Sequence, residues 1–262
     1  MKCGRGNGNN QTGWDNISQL RKLKIRAMTD KPNNRPHTTV VLAMSADGKI
    51  ADAMREPARF SSAADQQHLE QQIAAADGVL FGAGTLRAYG TTLSVSHSEL
   101  LQKRQQQNLS PQPVQIVASR TAEINPQIRF FRQRVPHWLI TTKSGAKQWE
   151  AGSQFEQILV CDTRNDGEIN WKSAFEQLST LGLSHLAVLG GGELVASLMA
   201  ANLIDEFWLT VCPLILGGAN APTPVAGTGF YPENLAPRLE LLSVKAIDQE
   251  VFLHYRLQQQ KD

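Results

Sequence analysis

The sequence is short of the residues that build disulfide frameworks and membrane spans. Its 262 residues include three widely spaced cysteines, Cys3, Cys161 and Cys212, which fit a reducing compartment better than a secreted scaffold. No apolar run approaches the roughly 18–20 residues that cross a bilayer. The first residues are charged and lack the apolar segment of a secretory signal. We therefore expect a cytoplasmic protein without a membrane partner.

Several chemistry-bearing motifs are also missing. The six histidines stand alone, without an H-E-x-x-H pair or a close cysteine, so we expect no metal site. No G-x-S-x-G elbow is present for a nucleophilic serine. Gly48-Lys49 does not complete a Walker loop, because Ala43 stands where its first glycine belongs. A dinucleotide-binding G-x-G-x-x-G motif could start at Gly82, but its third glycine position is occupied by Arg87.

The charge excess is small and local. The chain has 26 lysines and arginines against 24 aspartates and glutamates, a net charge of +2. Residues 1–31 carry seven basic and two acidic side chains, so the remainder is slightly acidic. A nucleic-acid-binding domain needs a cationic face to neutralise phosphates. We expect no nucleic-acid partner for the body of the chain, and only its first residues offer that alternative.

The composition divides the chain into an arm and one domain. Residues 1–34 are rich in glycine, asparagine and cations, and we interpret them as a flexible arm with a weak helical turn near residues 17–25. Met28 is an alternative natural start, in which case residues 1–27 would not belong to the natural chain. No composition break follows, so residues 35–262 are expected to form a single domain.

Short apolar runs alternate with helical patterns along this domain. A capping box at residues 62–65 opens the first helix, and residues 96–110 predict an exposed helix and loop. Further helices are expected at 171–181 and 193–202, and strands at 38–44, 78–81, 114–118, 137–141, 158–161, 185–189, 207–216, 238–246 and 250–257. This alternation predicts an α/β fold with helices on both faces of the sheet and an antiparallel C-terminal hairpin.

Two of the predicted strands end in glycine-rich turns that open helices. Residues 81–85 read FGAGT and residues 189–193 read LGGGE. Such turns let backbone amides approach an anion, and the helix start adds a positive partial charge. Two turns in one sheet can bracket a pyrophosphate. The alternative is that each glycine merely permits a tight left-handed turn.

A third phosphate-binding candidate follows the strand at 114–118. Ser119 and Arg120 together offer a hydroxyl and a guanidinium, which can hold a phosphate monoester. The 2′-phosphate of NADP is such a group. A solvated loop arginine is the alternative interpretation.

Four sequence blocks resemble the riboflavin-biosynthesis reductases, which include the C-terminal domain of the bifunctional deaminase-reductase. The first is residues 35–51 (RPHTTVVLAMSADGKIA) and the second is 76–85 (ADGVLFGAGT). The third is 190–194 (GGGEL), and the fourth joins 202–207 (NLIDEF) to 213–218 (PLILGG). The blocks occur in the family order and span about residues 35–220, so as a set they are specific.

The resemblance implies a dihydrofolate-reductase-like fold: a mostly parallel twisted sheet with flanking helices and an antiparallel C-terminal hairpin. It also implies an NADPH-dependent reductase that transfers hydride to a phosphorylated ribosylamino-pyrimidine, and a homodimer. The cofactor-binding residues implied by the resemblance, together with the glycine and serine–arginine features above, are Ala43, Gly82, Gly84, Thr85, Ser119, Arg120, Gly190, Gly191, Gly192, Glu193 and Leu194.

The substrate side of the resemblance is less complete. Asp47 is the ionisable residue of the first loop that could supply a proton, with Ser45 as a relay; its alternative role is that of a turn former. Lys49 and Leu93 are further candidates for substrate contact. The family pattern is interrupted at Val41, Tyr89, Ser96 and Leu189, and at the helix positions Gln66 or Ile73. A same-fold reductase of another carbonyl, imine or pterin, and a non-catalytic nucleotide-binding module, are the alternative functions.

Overall fold

A nine-stranded mixed sheet forms the centre of the fold in the computed structural model, which describes residues 34–149, 154–161, 163 and 167–258. The strand order is β5-β4-β3-β2-β6-β1-β7-β9-β8. The strands are β1 (His37–Ser45), β2 (Gly78–Gly82), β3 (Val114–Ala118), β4 (His137–Thr142), β5 (Gln157–Cys161), β6 (His185–Val188), β7 (Glu206–Cys212), β8 (Leu239–Ile247) and β9 (Glu250–Leu257).

The first seven strands are parallel and the last two are not. β9 pairs antiparallel with both β7 and β8, so the C-terminal hairpin closes one side of a parallel sheet. The α/β fold and its antiparallel hairpin are thus confirmed. All these elements lie within the compact unit Arg35–Asp262. The expected arm, with its helical turn near residues 17–25 and Met28, falls almost wholly outside the described residues.

Six α-helices connect the strands in the residues that the structure describes. They are α1 (Ala63–Ala75), α2 (Ala83–Tyr89), α3 (Ser98–Gln106), α4 (Lys143–Ala146), α5 (Trp171–Thr180) and α6 (Gly192–Ala200). Ser62 caps α1 as the capping box predicts, because its side chain accepts from the amides of Ala64 and Asp65. Asn170 caps α5 in the same way. None of the helices in the described part of the chain is long and apolar enough to span a membrane.

Alternate strand residues build two cores, one on each face of the sheet. In β2, Leu80 belongs to the core that contains α5 and α6. Its neighbours Val79 and Phe81 belong to the core that contains residues of α1 and α2. This period of two is what a sheet covered on both faces requires, so the predicted helices on both faces are confirmed.

Two details differ from the sequence prediction. β7 ends at Cys212 instead of continuing to residue 216, because Pro213 has no amide hydrogen for the ladder and the chain turns, with the Leu214 amide donating to the Cys212 carbonyl. α3 is not wholly exposed either. Arg104 is 1% exposed, and its guanidinium donates to the carbonyls of Ala74 and Ala76 at the end of α1.

Candidate functional site

The two glycine-rich turns lie side by side in the structure. The amide of Gly82 donates to the carbonyl of Gly190 over 2.9 Å. A side chain placed on Gly191 would come within 3.5 Å of Thr85 Oγ1. This contact follows from the strand order, because β2 and β6 are neighbours whose carboxyl ends point the same way. The predicted pair of turns therefore forms one continuous surface at the carboxyl edge of the sheet.

The start of α6 offers unused donors on this surface. Within the described residues, the amides of Gly191, Gly192, Glu193 and Leu194 donate no hydrogen bond. The first amides of any helix lack partners within the helix and carry a positive partial charge. The chemistry of this donor set suits a phosphate oxygen. Space is also available, since a Cβ added to Gly84 would meet no atom within 4 Å.

The glycines serve different purposes, so the left-handed-turn alternative explains only part of the pattern. Gly190 has a φ of 99° and needs glycine for its backbone conformation. Gly192 has an ordinary φ, but a Cβ there would lie 2.2 Å from the Thr223 carbonyl oxygen. Gly82, with φ −76° and ψ 152°, and Gly84 are not required by either constraint. Their lack of side chains leaves the surface open instead.

The loop after β1 is fastened by Asp47. Its carboxylate accepts from the Ser45 hydroxyl at 2.6 Å, from the Leu216 amide at 3.1 Å and from the Gly217 amide at 2.7 Å. The Ser45 hydroxyl in turn accepts from the Lys49 amide at 2.9 Å. Ala43, Ser45, Asp47 and Lys49 thus lie in or directly after β1, at the carboxyl edge of the sheet.

The charge state of Asp47 limits its chemistry. The hydrogen bond from Ser45, followed by the amide of Leu216, lowers the pKa of Asp47 to about 2. The residue is exposed, and with this low pKa its carboxyl group is ionised at neutral pH. A carboxylate in this state is a poor proton donor, whereas its three accepted hydrogen bonds give it a clear role in holding the loop.

Two further carboxyl groups are buried near the carboxyl end of β7. Asp65, in the first turn of α1, is 5% exposed, and Glu250, the first residue of β9, is 3% exposed. Asp65 interacts with the Thr210 hydroxyl, and Thr210 is the register partner of Ala43. Paired residues of neighbouring strands point to the same face of a sheet. The acid pair, Asp65 and Glu250, therefore lies on the face that carries the side chains of Ala43 and Ser45.

The two members of the acid pair differ in their donors. Glu250 accepts from the Ser62 amide at 2.9 Å, from the Ser62 hydroxyl and from the Cys212 thiol at 3.4 Å, contacts that stabilise a carboxylate. Burial raises the pKa of Asp65, and the negative charge of Glu250 raises it further, although Thr210 partly offsets both. Among the described residues no basic side chain forms an ion pair with Asp65.

In the sequence, Asp65 stands out only as the fourth residue of the capping box at residues 62–65. The signal that distinguishes it is its contact with Thr210 and Glu250, which lie far away in the chain. The neighbouring His68, one turn further along α1, is also neutral, because burial lowers its pKa to about 4. Burial and the neighbouring charge of Glu250 both raise the pKa of Asp65 and so favour its protonated form.

Ser119 and Arg120 follow the carboxyl end of β3 as predicted. Ser119 is 8% exposed, and its hydroxyl accepts from the Ala122 amide at 3.0 Å, which closes the turn. Arg120 is half exposed and forms an ion pair with Glu168. A phosphate at Arg120 would therefore compete with this carboxylate.

Leu93 is not brought to the loop after β1. Its carbonyl lies 3.4 Å from Gln115 Nε2, at the second residue of β3, and its side chain is 51% exposed. Nearby Ser96, where the family resemblance expects an arginine, donates its amide and hydroxyl to Glu70. His97 donates to the same carboxylate. This segment consequently presents negative charge where the resemblance implies positive charge.

The remaining departures from the family pattern have ordinary local roles. Val41 is 6% exposed and lines a cavity of about 70 Å³ beside α1, too small for a nucleotide ring with its sugar. Leu189 packs against the core on the α1 face. The Tyr89 hydroxyl donates to the Ala58 carbonyl at 3.3 Å. Across the described residues, no group of three or more metal-ligating side chains is assembled.

Comparison with known protein families identifies the chain at the level of its domain. The model of the RibD C-terminal domain family matches residues 36–253. A 2,5-diamino-6-ribosylamino-4(3H)-pyrimidinone 5′-phosphate reductase from Archaeoglobus fulgidus is 27% identical over 206 residues, which cover 79% of this chain and 93% of that protein.

Solved structures share the fold. A pyrimidine reductase-like protein from Corynebacterium diphtheriae aligns with a TM-score of 0.70 at 18% identity, covering 86% of this chain and 93% of that one. The riboflavin biosynthesis reductase of Saccharomyces cerevisiae aligns with a TM-score of 0.68 at 16% identity, covering 93% of this chain and all of that one. The fold expected from the resemblance is confirmed.

Proposed function

Since the chain belongs to the RibD C-terminal domain family, we propose that it is an NADPH-dependent reductase of a ribosylamino-pyrimidine 5′-phosphate in riboflavin biosynthesis. The name of the Archaeoglobus relative supports this substrate class. The observation that carries the proposal is the contact of the two glycine-rich turns, where the first amides of α6 donate no hydrogen bond within the described residues.

The residues of the two turns fit a dinucleotide phosphate. The amides of Gly191 to Leu194 would bind the pyrophosphate, with Thr85 Oγ1 as a neighbouring hydroxyl donor. Ala43 would contact the nicotinamide through its backbone, and Ser119 and Arg120 would hold the 2′-phosphate after Arg120 releases Glu168. When bound, NADPH supplies the hydride. The work of the chain is to place the acceptor carbon and to deliver a proton.

We assign the proton to Asp65 instead of Asp47. Reduction of an imine or an open-chain aldehyde leaves a developing amine or alkoxide that must be protonated. Asp47 is ionised at neutral pH and is committed to the loop 214–217. Asp65 is a buried carboxyl with a raised pKa, on the face of the sheet that carries Ala43 and Ser45. Ser45, which donates to Asp47, and Lys49 then shape the loop above the substrate.

A reductase of the same fold with a different carbonyl, imine or pterin substrate is the second candidate. The specific observation in its favour is the carboxylate of Glu70, which accepts hydrogen bonds from Ser96 and His97 in the segment where the resemblance expects a phosphate-binding arginine. Burial opposes ionisation of Glu70, but the amide donors outweigh it and lower its pKa to about 2. A substrate lacking the phosphate would meet less repulsion there.

Binding and turnover measurements separate these functions. NADPH affinity is measured first by calorimetry, and NADPH oxidation is then followed with 2,5-diamino-6-ribosylamino-4(3H)-pyrimidinone 5′-phosphate, its deaminated uracil counterpart and the two dephosphorylated forms. Turnover with either phosphorylated compound supports the proposal. Turnover with dephosphorylated compounds alone favours the second candidate, and binding without any turnover indicates a nucleotide-binding module. Absence of NADPH binding contradicts all reductase assignments.

The proposal includes a homodimer. β8 is one of the two edge strands of the sheet, and its residues Leu239, Leu241 and Val244 are 42%, 52% and 60% exposed. An unpaired edge with exposed apolar side chains is a natural surface for pairing with a second copy.

A further inference from the structure

A polar cavity forms a groove at the end of the sheet opposite the glycine turns. Its volume is about 610 Å³, and it lies beside the residues that precede β3 and β4. Six polar residues line it: Ser94, Gln112, Arg129, Arg132, Gln133 and Arg134. We call this cavity the arginine groove. Because parallel strands begin here and end at the turns, it is separate from the proposed cofactor site.

The backbone holds two of the guanidinium groups on one side. Arg129–Arg132 form a short 3₁₀-helix, and residues three apart are eclipsed in that conformation. Phe130 anchors this helix, since it is fully buried and its ring contacts Phe81, Phe131 and His137 at centroid distances of 5.9, 5.0 and 4.3 Å. Arg129 and Arg132 therefore project together from a fixed support.

Two glutamines of the lining are held in place by hydrogen bonds to the backbone. Gln133 accepts from the Thr92 amide at 3.0 Å and donates to the Thr92 carbonyl at 2.8 Å. Gln112 pairs with the Val95 backbone in the same two-way manner, at 2.9 and 2.8 Å. Ser94 lies between Thr92 and Val95, the two residues that these glutamines bind. The groove is thus a preformed feature instead of a gap between loose loops.

The charge in the groove is uncompensated. Among the described residues none of its three arginines forms an ion pair, and the lining includes no carboxylate. The three guanidiniums line one groove without a carboxylate partner and repel one another, and each offers forked donors that match phosphate oxygens. Arg132 also donates to the Gln127 carbonyl at 3.4 Å. We infer that the arginine groove binds a small anion carrying at least two phosphate groups. Such a ligand would supply the missing negative charge and enough oxygens for all three arginines.

The test uses inorganic pyrophosphate and ADP as probes, titrated by calorimetry into the full-length protein with and without saturating NADPH. Binding should persist with NADPH present and should weaken about tenfold or more in R129Q and in R132Q, since each substitution removes a charged donor. The matched control is R238Q, an exposed arginine outside the groove. Thermal unfolding of each variant confirms that the fold is retained.

Each alternative outcome overturns the inference. Binding that disappears with NADPH and is unchanged in R129Q and R132Q would place the probes at the glycine turns only. Equal weakening in R238Q would indicate general charge attraction, and absence of binding would mean that the groove holds no phosphate ligand. Because the titration is also run without NADPH, failure of the proposed cofactor assignment does not affect the result.

Discussion

Asp47 and Gly217 are 170 positions apart in sequence, yet the Gly217 amide donates to Asp47 Oδ2 over 2.7 Å. This bond joins the loop after β1 to the segment after β7. Both strands end at the same edge of the sheet, because Ser45 and Cys212 are register partners. The position of the loop above the proposed substrate site therefore depends on an ionised carboxylate.

Acid should release this loop. The pKa of Asp47 in the folded protein is depressed to about 2 from 3.8, so its stabilising effect is fully present above pH 4 and is lost as the pH falls toward 2. D47N should lower the melting temperature at pH 7, and the difference from wild type should shrink below pH 4. Thermal unfolding across pH measures this. D248N, at the exposed turn between β8 and β9, serves as the control; a D47N deficit that persists unchanged at pH 2 would contradict the explanation.

Asp65 should govern the alkaline limb of the pH–rate profile. Burial and the charge of Glu250 raise its pKa, and activity should fall as the pH rises through the pKa of this acid. D65N should lower kcat by about 100-fold or more, the usual scale of general acid catalysis, and remove this limb while NADPH affinity is retained. Infrared difference spectra of wild type against D65N should also reveal a protonated carboxyl band at pH 7.

Glu250 provides the companion test for Asp65. E250Q removes the neighbouring negative charge and should shift the alkaline limb to lower pH without abolishing activity. D47N should leave the limb in place. If the alkaline limb vanishes in D47N but survives in D65N, the proton donor is Asp47 and not Asp65.

A charge at Gly84 should weaken cofactor binding without damaging the fold. Space is open around this position, so both G84A and G84D should fold. G84A should bind NADPH as wild type does, whereas G84D should weaken binding by about tenfold because its carboxylate faces the pyrophosphate. Calorimetry checks this. Equal affinities of the two variants would mean that the phosphates lie elsewhere.

Gly192 should be intolerant of any side chain. Its Cβ would lie 2.2 Å from the Thr223 carbonyl, a clash with backbone that must displace one segment. G192A should therefore destabilise the protein by about 1–3 kcal/mol, the usual cost of overpacking, as measured by urea unfolding. G84A is the matched control, since it adds the same methyl group in open space.

Charges on β8 should separate the proposed dimer. L241K and V244K place lysines on the exposed edge strand, and edge lysines oppose pairing between strands. Light scattering should detect a dimer in wild type and a monomer in the double variant. K245Q, a charge change on the same strand, is the control. A wild-type monomer would remove the dimer from the proposal.

Local patterns were enough to predict the strands and the glycine turns. β3 has the predicted bounds, because its apolar run is flanked by a proline and by Ser119-Arg120. Local patterns also predict that Gly82 and Gly190 lie at the same edge, since both follow strands of a parallel sheet, whereas their direct contact depends on β2 and β6 being neighbours in the strand order. What local patterns cannot predict is a contact made through the sheet order, such as that of Asp65 with Thr210 and Glu250. The same applies to Arg104, whose burial depends on the end of α1.

The arginine groove escaped sequence analysis for a related reason. Residues 129–134 (RFFRQR) look like an exposed basic loop. Only the burial of Phe130 and the clamps made by Gln112 and Gln133 turn this loop into a wall. The arginines form a groove only because neutral residues elsewhere in the fold fix the position of their segment.

Ser62 links the start of α1 to the start of β9. It caps α1 and, through the same backbone and side chain, grips Glu250 at the first position of β9. The terminal hairpin is therefore more than a border: it anchors the helix that carries the acid. A shortened protein that lacks β8 and β9 should therefore lose the proposed proton transfer from Asp65 as well as the stability that these strands give the sheet.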